Sequence, residues 1–63
     1  MSMVHYALFK NKFGGLKAVN VADRKVWYWS ERLGVWLPSR YSAQECARLM
    51  EPLGTYRMEL KMS

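Results

Sequence analysis

Four short stretches of the first 38 residues are mostly apolar and rich in β-branched or aromatic residues, a pattern typical of β-strands. The stretches are residues 4–9, 16–21, 26–29 and 35–37. The segments between them carry turn signals, such as the Gly14-Gly15 pair and the polar connection at residues 22–24. These features predict an antiparallel meander of four strands.

The densest apolar stretch, residues 25–38, contains all three tryptophans and predicts a β-hairpin. Residues 31–34 form its loop, with Gly34 at the position that needs a positive φ. This register sets Trp29 opposite Trp36. Because side chains alternate along a strand, one face carries Trp27, Trp29 and Trp36, and the other carries Val26, Tyr28, Val35 and Leu37. A two-layer domain covers one sheet face, so we expect a partner chain, a ligand or a second copy to cover the other.

A helix and a last strand follow the hairpin, which Pro38 ends. Ser42 and Glu45 form the sequence pattern of a capping box, which predicts a helix from residue 43 to about 51, ending near Pro52 and Gly54. Its apolar stripe is predicted to be Ala43, Cys46, Ala47, Leu49 and Met50. Alternation over residues 55–62 predicts a strand whose inward side chains are Tyr56, Met58, Leu60 and Met62.

These elements predict one α+β domain over residues 1–63. We expect a small antiparallel sheet of four or five strands in the order β-β-β-β-α-β, with one helix packed on one face. The predicted core consists of Tyr6, Leu8, Val19, Cys46, Leu49, Met50, Met58 and Leu60.

Composition narrows the class of protein. The 63 residues are 51% hydrophobic, as in globular proteins, and the single cysteine cannot form an internal disulfide. No apolar run approaches the ~20 residues of a membrane span, and the N-terminus lacks the apolar region of a signal peptide. A complete small cytoplasmic protein is therefore expected.

Charge is unevenly distributed along the chain, whose formal net charge is +5. Asp23 is the only acidic residue among the first 25, whereas the remaining residues are almost balanced. The excess forms a predicted basic patch of Lys10, Lys12, Lys17, Arg24 and Lys25, suited to an acidic protein surface or to nucleic acid.

Residues able to do chemistry are scarce. With one histidine, one cysteine and one aspartate, the chain offers no standard set of metal ligands. Cys46 falls on the apolar stripe of the predicted helix, where a thiol is usually inert, and His5 reads as an ordinary strand residue. We therefore predict no catalytic residues, no metal and no cofactor, and a protein that is not an enzyme.

The favoured hypothesis is a protein-binding module, because Trp, Tyr and Arg dominate binding hot spots. The predicted contact surface is Trp27, Trp29 and Trp36 with Arg32 and Arg40, while Lys10, Lys12 and Lys17 steer the partner. On this hypothesis Trp36→Ala weakens binding and leaves the fold intact. The competing interpretation is that the tryptophans simply form the core of a small domain.

Two other modes of action stay open. Exposed tryptophans could stack the bases of single-stranded DNA or RNA while the basic patch holds phosphates. The uncovered sheet face could instead form a homodimer. In size and style the chain is similar to small phage or mobile-element proteins, so we expect modulation of a host enzyme or defence complex by occlusion.

Overall fold

Five strands and one helix make up the part of the chain that the computed structural model describes, residues 4–61. The strands are β1 (Val4–Lys10), β2 (Leu16–Asn20), β3 (Val26–Ser30), β4 (Val35–Pro38) and β5 (Glu51–Met58). The helix α1 (Ala43–Leu49) lies between β4 and β5. All neighbouring strands are antiparallel, in the sheet order β4-β3-β2-β1-β5. The predicted α+β class and element order are confirmed.

The β3–β4 hairpin has the register predicted from its alternation. Trp29 lies opposite Trp36, with ring centroids 5.5 Å apart and ring planes inclined by 59°. Gly34 has a φ of 68° and donates its N–H to the Ser30 carbonyl oxygen at 2.7 Å, which closes the four-residue loop. The three tryptophans consequently share one face of the sheet.

Both faces of the sheet are apolar, and each has its own core cluster. The tryptophan face contains buried Tyr6, Ala18, Trp36 and Leu60, with Trp27 and Trp29 packed against them. The helix face contains buried Val19 and Val26 of the sheet together with Cys46 and Met50. Of the predicted core, Leu8 and Met58 are only partly buried, on the tryptophan face.

The chain itself covers the tryptophan face. β4 and β5 are the two edges of the sheet, yet the Trp36 N–H on β4 donates to the carbonyl oxygen of Lys61, which follows β5, at 2.9 Å. The sheet must therefore curl until its two edges approach each other, and Leu60 is only 7% exposed beneath this contact. Residues of the same chain thus bury Trp36 and Leu60, whereas Trp27 and Trp29 are only partly buried on this face. Further cover by a partner chain, a ligand or a second copy stays a prediction.

The helix begins as predicted and ends earlier. Ser42 Oγ accepts from the Glu45 N–H at 3.1 Å, and Glu45 Oε1 accepts from the Ser42 N–H at 2.9 Å, so the capping box is present. Within this helix of seven residues only Cys46 is buried, and the partly buried Ala43 and the buried cap residue Met50 complete one narrow row. The wider predicted stripe is wrong for Ala47, which is exposed, and for Leu49, which is 57% exposed.

The last strand starts four residues earlier than predicted. Pro52 is tolerated because β5 is an edge strand paired only with β1. The pairing shifts register between Leu8 and Phe9, and Gly54, with a φ of 110°, accommodates this bulge. The Tyr56 hydroxyl donates to the Leu53 carbonyl oxygen at 2.7 Å, and the ring is half exposed rather than buried. Met62 lies outside the described residues.

Candidate partner-binding surface

Of the three predicted tryptophan contacts, Trp36 belongs to the core and the other two pack against it. Trp36 is 8% exposed, and Trp27 and Trp29 are partly buried against the same cluster. The competing interpretation, that the tryptophans fill the interior of a small domain, therefore describes the packing of Trp36, whereas a contact role for Trp27 and Trp29 stays a prediction. Little of the Trp36 side chain is available to a partner.

The predicted arginine and lysine positions separate in space. Arg32 lies in the loop before β4 and Arg40 follows that strand, so the two are at opposite ends of it. Lys12 lies in the β1–β2 turn, whereas Arg24 and Lys25 lie in the loop at the other end of β2. The predicted basic patch is thus two groups, with Lys10, Lys12 and Lys17 in one and Arg24 and Lys25 in the other.

A rigid turn presents an apolar ring next to the first of these groups. Asn11 Oδ1 accepts from the backbone N–H of Phe13 at 2.9 Å and of Gly15 at 2.8 Å. The Asn11 N–H also donates to the Gly15 carbonyl oxygen at 2.9 Å, and Gly14 adopts a φ of 85°. These bonds fix the turn while Phe13 remains 84% exposed. A large exposed hydrophobe on an ordered turn is a typical feature of an interaction site.

A second ordered segment, residues 39–42, places Tyr41 nearby. The Ser39 N–H donates to the Val26 carbonyl oxygen at 2.9 Å, which holds the loop on β3. Ser39 Oγ accepts from the Tyr41 N–H at 3.2 Å, and the following residue, Ser42, is the helix cap. Hydrogen bonds on both sides of Tyr41 therefore fix the backbone that carries this ring.

The two segments border adjoining depressions that share Tyr41. One, of about 280 Å³, is lined by Asn11, Lys12, Phe13, Tyr41, Leu49 and Met50. The other, of about 340 Å³, is lined by Lys17, Tyr28, Pro38, Ser39, Arg40 and Tyr41. We call these two depressions together the aromatic–basic surface.

Cations lie over the aromatic rings of this surface. Lys17 Nζ is 5.2 Å from the Tyr28 ring centroid and 5.5 Å from that of Tyr41. Lys12 Nζ is 5.2 Å from the ring centroid of Phe13. Every charged residue that lines the two depressions is positive. Contact with two rings restricts the Lys17 ammonium, so an incoming anion meets a partly preorganised cation.

Sequence reasoning placed Lys12, Lys17 and Arg40 in contact regions but missed their apolar neighbours Phe13, Tyr41 and Leu49. Phe13 carried a usable signal, because a phenylalanine inside an Asn-to-Gly-Gly turn cannot join the core of either flanking strand. The sequence gives no such signal for Leu49, because its position along the helix also fits a buried stripe. Its exposure follows from how the short helix packs.

Neither the thiol of Cys46 nor the imidazole of His5 lines this surface. Cys46 is fully buried on the helix face, and this burial raises the pKa of its thiol, which therefore stays protonated at neutral pH. His5 is exposed on β1. Among residues 4–61, no three His, Cys, Asp or Glu side chains are grouped so as to hold a metal ion.

Within the same residues, no helix has both the length and the apolarity that crossing a bilayer requires. Comparisons with known protein families, with curated proteins and with solved structures find no match to this chain. The functional interpretation consequently depends on the surface just described.

Proposed function

We propose that the protein is a non-enzymatic binding protein that attaches to an acidic region of a partner protein and modulates it by occlusion. The aromatic–basic surface is its contact region. The observation that carries the proposal is an apolar ring, Phe13, held 84% exposed on a hydrogen-bonded turn. The Lys12 ammonium lies over this ring, and two more cations line the adjoining depression.

The apolar side chains of this surface are not exposed because the domain is too small to bury large side chains. The chain buries large side chains on both faces of its sheet, including Trp36. Phe13 and Leu49 nevertheless border one depression with much of their surface in water. Clustered exposed hydrophobes with a polar, charged margin match the anatomy of protein interfaces.

A protein partner suits this surface better than single-stranded nucleic acid. Base stacking needs successive open aromatic faces. Phe13 is open, but the Lys17 ammonium lies over both Tyr28 and Tyr41. Leu49 supplies exposed aliphatic area, which suits apolar side chains of a protein partner. The tryptophans, which the nucleic-acid hypothesis assigned to stacking, are directed into the core.

Binding by occlusion is stoichiometric, which fits the size expected of small proteins from phages and other mobile elements. We accordingly propose a host enzyme or a host defence complex as the class of target. The small α+β domain itself blocks the target, and the aromatic–basic surface attaches the domain to it.

The test is a pull-down with the tagged protein from a lysate of the cells in which it acts. Samples are washed at about 0.1 M and about 0.5 M salt, and parallel samples are treated with nuclease. Three baits are compared, namely the unaltered protein, Leu49→Ala and Leu33→Ala. Leu33 is the matched control because it is a leucine with similar exposure, 61%, in a turn outside the surface.

The proposal predicts that the unaltered bait captures a partner protein, which stays bound after nuclease treatment and after the wash at higher salt. The Leu33→Ala bait should retain this partner, and the Leu49→Ala bait should not. Retention that disappears with nuclease and falls steeply with salt would instead identify a nucleic-acid binder. A captured protein that both variants retain equally would mean that the contact surface lies elsewhere.

A further inference from the structure

We infer that the aromatic–basic surface recognises an acidic peptide segment with an apolar anchor, one side chain filling each depression. This inference rests on the proposed binding function and specifies the chemistry of the partner. The apolar side chain enters the depression of Phe13, Tyr41 and Leu49. A carboxylate enters the neighbouring depression, where it meets Lys17 and Arg40.

The two depressions differ in what they offer. The first depression has an aromatic and aliphatic lining, and the Lys12 ammonium lies at its margin over the Phe13 ring. The second contains two cations and two tyrosines, with no acidic side chain in its lining. One depression therefore favours transfer of an apolar group from water, and the other favours a carboxylate through charge complementarity.

Their common wall sets the spacing of the two partner side chains. Tyr41 lines both depressions, so the occupants lie on either side of one tyrosine. Alternate side chains of an extended peptide are separated by roughly 7 Å, a distance suited to straddling one aromatic side chain. The segment is thus expected to be extended, with the carboxylate two positions from the apolar anchor.

Preorganisation makes this site more selective than a mobile basic patch. Lys17 is held by two tyrosine rings, and the backbone beside Tyr41 is fixed by Ser39 and by the helix cap. Less conformational entropy is lost on binding than for free lysines. Arg40 is exposed, so it serves as a carboxylate contact that can be removed without disturbing the core.

The experiment selects ligands from a random ten-residue peptide library displayed on phage, using the full-length protein as the target. The enriched peptides are then synthesised, and their dissociation constants are measured by fluorescence polarisation. Four variants form two matched pairs, Leu49→Ala with Leu33→Ala, and Arg40→Gln with Arg57→Gln. Arg57 is an exposed arginine on β5 that lines neither depression.

Support consists of enriched peptides in which Asp or Glu stands two positions from Leu, Ile, Phe or Met. Their affinity falls about tenfold in Leu49→Ala and in Arg40→Gln and stays within about twofold in the two controls. Replacing the peptide carboxylate by its amide reproduces the loss in the unaltered protein and has little further effect in Arg40→Gln.

Three results overturn the inference. These are a selection that yields no peptide, enriched peptides that lack acidic residues, and peptide binding that Arg40→Gln leaves unchanged. Each rejects the acidic-anchor segment, whereas the pull-down still decides independently whether a partner protein binds this surface. Displacement of the peptide by a twelve-nucleotide oligothymidylate at equal concentration would reject both the peptide inference and the proposed protein-binding function, and would assign the surface to nucleic acid.

Discussion

The tryptophan face and the helix face of the sheet are both apolar, but they are covered in different ways. The first closes on itself, because the sheet curls and Leu60 packs on Tyr6, Ala18 and Trp36. The second is covered by a helix of only seven residues. Because this helix is short, the margins of the helix face stay open to solvent, and the aromatic–basic surface occupies one of these margins. The comparison teaches that large aromatic side chains do not by themselves identify a contact surface.

The largest expected effect is at the centre of the tryptophan face. Trp36→Ala should lower the free energy of unfolding by about 3–5 kcal/mol, because it removes a buried ring and leaves a cavity. For a domain of this length such a loss approaches the whole stability. Urea denaturation followed by far-ultraviolet circular dichroism measures it. An unchanged midpoint would show that the ring is exposed and would restore the tryptophan contact surface.

A pair of leucines tests the closure of the sheet. Leu60→Ala should cost about 2–4 kcal/mol because the side chain is buried, whereas Leu49→Ala should cost less than about 0.5 kcal/mol because it is largely in water. The same denaturation experiment compares the two variants directly. Equal, small effects would mean that residues 59–61 do not cover the tryptophan face in solution.

A smaller effect is expected at the helix cap, on the other face. Ser42→Ala removes the acceptor of the Glu45 N–H and should cost about 1 kcal/mol. Amide hydrogen exchange should accelerate in α1 while the β3–β4 hairpin keeps its protection, since the two faces have separate core clusters. Acceleration spread evenly over both elements would show that the faces unfold as one unit.

The smallest effect concerns the Cys46 thiol of the helix face. Burial raises its pKa, so above about pH 8.5 the unfolded chain loses a proton that the folded chain keeps. Folding stability contributed by this group is therefore complete below that pH and declines as pH rises further. Alkylation by iodoacetamide at pH 8 should be slow in native protein and fast in urea. Rapid native labelling would indicate that the helix opens easily.

Local patterns predicted much of the fold. The β3–β4 register follows from Gly34 and the alternation on either side of it, and the capping box follows from two residues three positions apart. Such features depend on near neighbours in sequence. The helix length and the start of β5 were predicted less well, because Pro52 and Gly54 read as breaks where they in fact fit a bulged edge strand.

The candidate site was predicted only in part. Lys12, Lys17 and Arg40 follow from charge, which the sequence displays directly. That Tyr41 stands beside Phe13 depends on how the loop after β4 and the β1–β2 turn meet, a contact between segments more than 25 residues apart. Leu49 was assigned to the core because helical spacing alone does not show how wide a strip the sheet will cover.

By itself, the sequence determined the alternating strands, the two apolar faces, the capped helix and the excess of positive charge, since each depends on residue type and short spacing. Only the tertiary structure decided which apolar face would be enclosed. That outcome depends on Trp36 and Lys61 meeting across the two edges of the sheet, a contact between residues distant in the chain. The same curling buried Trp36, whereas the phenylalanine turn, the Tyr41 loop and their cations remained at the surface.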